Sequence, residues 1–179
     1  MLRQATGGGK SYEGWVEGDS TMRIAAADLR SQYVRVLEKK GVATDRAALV
    51  AGLLTQNQID GVYSHGLNRF GAFLKQLSPE AGAAQTQPNE TPEVVGALGA
   101  LEQWDGKMGL GPYNAHVAME RAIALATEHG IGCVALRNTN HWQRGGAYGL
   151  QAADAGMIGI CWTNTRCTSL FHRGDLAVP

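Results

Sequence analysis

Apolar residues in the first third of the chain fall at helical spacing. Leu29, Tyr33, Val36 and Leu37 share one face of a helix predicted over Ala25–Lys40, with Lys39 and Lys40 at its negative end and Gly41 as its stop. Thr44 is placed as the N-cap of a second helix, whose stripe is Ala47, Val50, Ala51 and Leu54 and whose end is Gly61. Ser64 is placed as the N-cap of a third helix that runs to Leu77 and buries Leu67, Phe70, Leu74 and Leu77. Ser78–Pro92 is polar, carries three prolines and is expected to be a connector.

From Glu93 the period shortens. Val94–Leu98 and Ala100–Trp104 are predicted as short strands, with Asp105-Gly106 as a turn signal. Pro112 suits a first helical turn, and Ala115, Ala118, Met119, Ala122 and Leu125 carry that helix to Gly130. Ile131–Arg137 follows as a strand, Asn138–Gly146 as a polar loop, Ala147–Ala155 as a short helix and Met157–Trp162 as another strand. Alternating helices and strands predict an α/β layer with some parallel pairing, preceded by N-terminal helices. Met1–Ser20 and Thr165–Pro179 show no periodic element.

Composition narrows the function classes. Sixteen Lys and Arg balance sixteen Asp and Glu, so the chain lacks the basic excess that binding to nucleic-acid phosphates requires. No apolar run reaches the ~18 residues of a membrane helix, and the first twenty residues lack a signal-peptide core. Cys133, Cys161 and Cys167 form no CxxC, and no histidine pair has ligand spacing, so no metal is expected and a reduced, cytoplasmic protein is. Glycine is abundant, 24 of 179 residues against a typical ~7%, which fits many tight turns between short elements. Gly9-Lys10-Ser11 fails as a phosphate loop because Gln4 stands where the motif needs its first glycine. No GxGxxG lies between a strand and a helix, so an ordinary dinucleotide-binding fingerprint is not supported.

Two stretches carry candidate chemistry. In Tyr63–Phe70, a helix capped by Ser64 would set His65, Asn68 and Arg69 on one face: an imidazole, an amide and a guanidinium fork able to hold a carboxylate. The helix end and Arg69 both disfavour a charge on His65, which keeps it near its switching range. The same pattern also fits a capped surface helix with ordinary polar residues. The second stretch, Arg137–Gly146, follows a strand, where α/β folds place ligands, and offers Asn140, His141 and two glycines. It fits equally a polar loop whose histidine only satisfies backbone groups. His116 and His129 are expected to be structural.

Longer stretches carry a family likeness. They are Gly61–Gly66 with Asn68-Arg69-Phe70, Leu101–Asp105, Glu128–Gly132, Val134–Asn138 continuing through Asn140-His141-Trp142 to Arg144-Gly145-Gly146, and Ile158–Asn164. From Met22 to Asn164 the chain resembles the malate/L-lactate dehydrogenase-like family of NAD(P)-dependent 2-oxo acid reductases, which does not use the ordinary Rossmann fold. The Glu-Gln-Trp-Asp and Asn-His-Trp words point to its diketogulonate branch. The resemblance implies hydride transfer from a reduced nicotinamide, NADH favoured, to the 2-oxo carbon of a small acid. Malate, lactate and ureidoglycolate branches are the alternatives, as is a non-catalytic fragment. By the same resemblance the proton is expected from His65 or His141, with Arg69, Asn68 and Asn140 expected to bind substrate and Asn164 and Thr165 to contact the dinucleotide. A homodimer is implied for full-length members, with no nucleic acid or membrane partner.

The resemblance also divides the chain. Residues 1–21 are expected to be a disordered extension, residues 22–164 the N-terminal part of the reductase fold, and residues 165–179 an anomalous tail. The codons of Phe171–Asp175 permit Pro-Pro-Trp-Gly in a shifted frame, the word with which the branch continues, so a frame slip after Asn164 is the expectation.

Overall fold

The computed structural model describes residues 23–164. Helices α1 (Ala26–Lys39) and α2 (Thr44–Ile59) form a hairpin. Leu29, Tyr33 and Leu37 pack at four-residue spacing against Ala47, Val50, Ala51 and Leu54, as the stripes require. Neither helix has a side-chain N-cap. The Thr44 hydroxyl instead donates to Glu38 Oε1 at 2.9 Å, so Ala43 is the cap position. Asn89 of the connector holds the interhelical turn, accepting from the Ala43 N–H at 2.9 Å and donating to the Gly41 carbonyl at 2.8 Å.

A single 3-10 turn, Tyr63–His65, leads into α3 (Leu67–Gln76), which adds Phe70 and Phe73 to the same core. Leu67, expected inside, is 48% exposed. The connector contains a further 3-10 segment, Pro79–Ala84.

Strands β1 (Glu93–Leu98) and β2 (Leu101–Gly109) pair antiparallel, and β2 pairs parallel with β3 (Cys133–Thr139) after the crossover helix α4 (Gly111–His129). The order β1-β2-β3 and helix α5 (Gly146–Asp154) complete the α/β arrangement. Pro112 opens α4 and left-handed Gly130 closes it, as expected.

Two expectations fail here. The turn signal at Asp105-Gly106 does not end a strand: β2 continues to Gly109 through a register break in which Lys107 and Met108 are left-handed, φ 50° and 56°, and the chain reverses earlier, at Gly99-Ala100. Gly106 is glycine because a Cβ there would lie 2.8 Å from Asn114 Nδ2 and 2.9 Å from the Thr139 Cβ. Met157–Trp162 forms no strand. Its alternating Ile158, Ile160 and Trp162 are 93%, 74% and 74% exposed, a half-buried strand pattern whose apolar side meets none of the described residues closely enough to be covered, while Gly159 lies against Gly149 and Ala152 of α5. Likewise Val94, Val95 and Leu98 of β1 are exposed, so α4 covers one face of a sheet whose outer strand stays bare.

The family word Leu101–Asp105 is structural. Buried Glu102 accepts from Arg121 of α4 at 2.6 and 2.9 Å and from Trp104 Nε1 at 2.9 Å. Asp105 gathers the Lys107 N–H, Asn138 Nδ2 and Arg137 Nε between 2.8 and 3.2 Å.

Candidate active site

The last turn of α2 and the 3-10 turn place the first histidine. The Val62 N–H returns to the Asn57 carbonyl at 2.8 Å, and Asn57 Nδ2 donates to the His65 carbonyl at 3.0 Å. Ser64 does not cap α3. Its hydroxyl lies 2.9 Å from His65 Nδ1, and Gly66 holds the cap position. The orphan N–H of Leu67 is satisfied by Gln58 Oε1 at 3.0 Å, so a buried side chain of α2 does the capping. That side chain occupies the space where a Cβ on residue 66 would stand, which makes Gly66 part of the histidine's support.

His65 therefore precedes α3 instead of sharing its first turn, and the single helical face expected for His65, Asn68 and Arg69 does not form. Asn68 is exposed on α3 and Arg69 is half-buried.

The second histidine enters from the loop after β3. The His141 and His65 rings stack with centroids 5.9 Å apart and planes 30° from parallel. The Gln143 backbone N–H donates to His141 Nδ1 at 2.9 Å, so the neutral ring carries its proton on Nε2. Gln143 adopts a left-handed backbone, φ 68°, to make this contact. Trp142 stacks on Tyr148 of α5 at 5.6 Å, and the Tyr148 hydroxyl donates to the Trp142 carbonyl at 2.5 Å. Asn140 donates its amide to the buried Thr86 hydroxyl and lines a groove of about 590 Å³ with Lys75, Gln76, Ser78, Glu80 and Ala81. Arg144 pairs with Asp60 at the end of α2.

Both imidazoles bind protons more weakly than usual. For His65 the causes are burial first, then the charges of Arg69 and Arg144; for His141 they are burial, Arg69 and His65. Arg69 thus acts on both rings. No acidic side chain among the described residues pairs with it. A free guanidinium beside two neutral imidazoles suits a small carboxylate, and each ring can exchange a proton with what that carboxylate carries.

Asn57, Gln58, Asp60, Thr86 and Gln143 escape the sequence reading; only the contacts of their side chains and backbone reveal them. His116 and His129 pair with Glu120 and Glu128, at 3.3 and 3.6 Å. Among the described residues no metal-ligating cluster occurs and no helix is long and apolar enough to cross a membrane. Asn164 is exposed at the end of the described residues, and Thr165 lies outside them, as do the extension and the tail.

Helices on a partly parallel sheet have counterparts among known proteins. Residues 24–178 match the family described as malate/L-lactate dehydrogenase, and the chain belongs to that family. Within it, the chain is 47% identical over 144 residues to 2,3-diketo-L-gulonate reductase of Salmonella paratyphi B, covering 80% of this chain and 42% of that protein. Malate dehydrogenase of Pyrococcus horikoshii superposes with a TM-score of 0.70 at 33% identity, over 80% of this chain and 40% of that one. Sulfolactate dehydrogenase of Methanocaldococcus jannaschii gives 0.64 at 30% identity, over 72% and 36%. The chain spans 42% of the length of the curated relative it matches.

Proposed function

We propose that the chain supplies the carboxylate-binding and proton-donating part of a 2-oxo acid reductase, acting on 2,3-diketo-L-gulonate or a similar acid. The observation that carries this reading is the stacked pair of His65 and His141, with Arg69, unpaired among the described residues, near enough for its charge to weaken proton binding by both rings. The greater identity to a diketogulonate reductase, 47% against 33% for a malate dehydrogenase, favours that branch over the malate type.

Arg69 holds the substrate carboxylate, with Asn68 and Asn140 as its neighbours in substrate binding. A bound carboxylate offsets the Arg69 charge that depresses both imidazoles, so seating the substrate raises their proton affinity. His65 takes up a proton from water as the carboxylate is seated and then gives it to the 2-oxo oxygen, which becomes the hydroxyl, while His141 orients that oxygen. We assign the donor to His65 because Arg69, Arg144 and burial together tune it. When bound, a nicotinamide, NADH ahead of NADPH, supplies the hydride. Asn164 and Thr165 are assigned to it from the family likeness. The reading extends to a cytoplasmic, homodimeric reductase. A non-catalytic role is the second reading, favoured by the bare apolar strand β1 and the exposed Ile158, Ile160 and Trp162.

Histidine titration by NMR on the full chain tests the proposal. Saturating 2,3-diketo-L-gulonate should move both imidazole midpoints upward, and Arg69→Gln should abolish the effect. A neutral ketone of similar size should leave them in place. Midpoints that ignore the carboxylate would overturn the reading. NADH oxidation with diketogulonate, malate and lactate separates the branches, and its absence with all three supports the non-catalytic reading.

A further inference from the structure

The last turn of α2 touches both halves of the site. Asn57 and Gln58 suspend the first histidine's segment, each through a 3.0 Å bond. Asp60, at the C-cap, divides its carboxylate: Oδ1 accepts from Gln56 Nε2 at 2.7 Å, and Oδ2 meets Arg144, 84 residues along the chain. Both side chains of the ion pair are only 25% exposed, so water screens them less than a free surface pair. The other side-chain bonds that leave the His141 loop run to Thr86 in the connector and Tyr148 in α5. Among the described residues, the Asp60–Arg144 pair alone bonds this loop to α2 through side chains.

We propose that Asp60 and Arg144 are positioning residues, whose ion pair sets the His141 loop in register with His65 on the common frame of α2. The proposal rests on the reductase reading for its meaning, since neither residue touches substrate in it. Its readout is geometric and independent of turnover. If the clamp is cut, the loop keeps its ties to α5 and the connector but loses its tie to the first histidine. The two rings then part while both helices persist.

A ring-to-ring nuclear Overhauser cross-peak between His65 and His141 in the full chain reads this register. Asp60→Asn should lose the cross-peak, and Asp60→Glu, which keeps the charge, should retain it. Helical circular dichroism should be unchanged in both. A cross-peak that survives Asp60→Asn, or disappears equally in Asp60→Glu, overturns the proposal. Should Asp60→Asn unfold the chain, Arg144→Met reads the same contact: loss of the cross-peak in a folded chain supports the clamp and retention refutes it. Failure of the wild-type chain to bind a carboxylate would sink the reductase reading and leave this result standing.

Discussion

Asn114 is fully buried at the start of α4 and ties the ends of two strands together. Its Nδ2 donates at 3.0 Å both to the Gly106 carbonyl in β2 and to the Thr139 hydroxyl in β3. Asn114→Ala removes both donors and leaves a buried carbonyl without a partner. Each abandoned group costs about 1–3 kcal/mol. The Thr139 hydroxyl can rotate, which lessens its share, and the Asn114 Oδ1 has no partner among the described residues, so its removal returns part of the loss. The net expectation is about 2–4 kcal/mol of destabilisation. For a chain of this size each kcal/mol moves the melting temperature by roughly 2–4 °C, so a fall of about 5–15 °C should appear in a thermal melt. Because Thr139 leads directly into Asn140 and His141, the His65–His141 cross-peak should weaken below the transition as well. A loss under about 1 kcal/mol in urea unfolding would show that these bonds merely replace equivalent bonds to water, and would refute the reasoning.

Arg69→Gln should raise the titration midpoints of both histidines; NMR titration checks this, and midpoints that stay in place contradict it. Both imidazoles sit below their ordinary 6.5, so the unfolded chain takes up protons first. Their stability contribution is whole above pH 6.5 and is lost as pH falls through the folded values; urea midpoints from pH 8 to 5 should decline, and a rise toward pH 5 would oppose the reading. Gly66→Ala should cost about 1–3 kcal/mol in chemical denaturation by forcing Gln58 off the Leu67 N–H, and a neutral result would mean that Gln58 moves freely.

The helices were legible where one apolar stripe met one stop. Leu29, Tyr33 and Leu37 with Gly41 define α1, and Pro112 with Gly130 brackets α4. Both histidines were legible as candidates because an imidazole beside cations or glycines stands out by type. Their meeting was not, since nothing local in Tyr63–Phe70 tells of the loop at Asn140. Asn57 and Gln58 stayed hidden because a buried amide and a solvated one look alike in a sequence; only the carbonyl and N–H they satisfy set them apart. Ser64 failed as a cap because a side chain from another helix already served that N–H. Asp105-Gly106 carried a turn's composition, but its glycine makes room for Asn114 and Thr139. In Met157–Trp162 the alternation is real, and among the described residues no strand lies beside it.

The ties that bring the His141 loop to α2 and to the connector are distant in sequence. Asp60 reaches Arg144 over 84 residues and Thr86 reaches Asn140 over 54, whereas the packing of α1 on α2 closes through a short turn. Closing long loops costs more chain entropy than closing short ones, and contacts of wide separation form late. The helical hairpin can therefore stand before the histidines meet. In mild urea the far-ultraviolet helical signal should outlast the contact between the two rings, leaving a population rich in secondary structure and empty of chemistry. Helicity is for this reason a poor witness to competence in this molecule, and the stacked imidazoles are the better one.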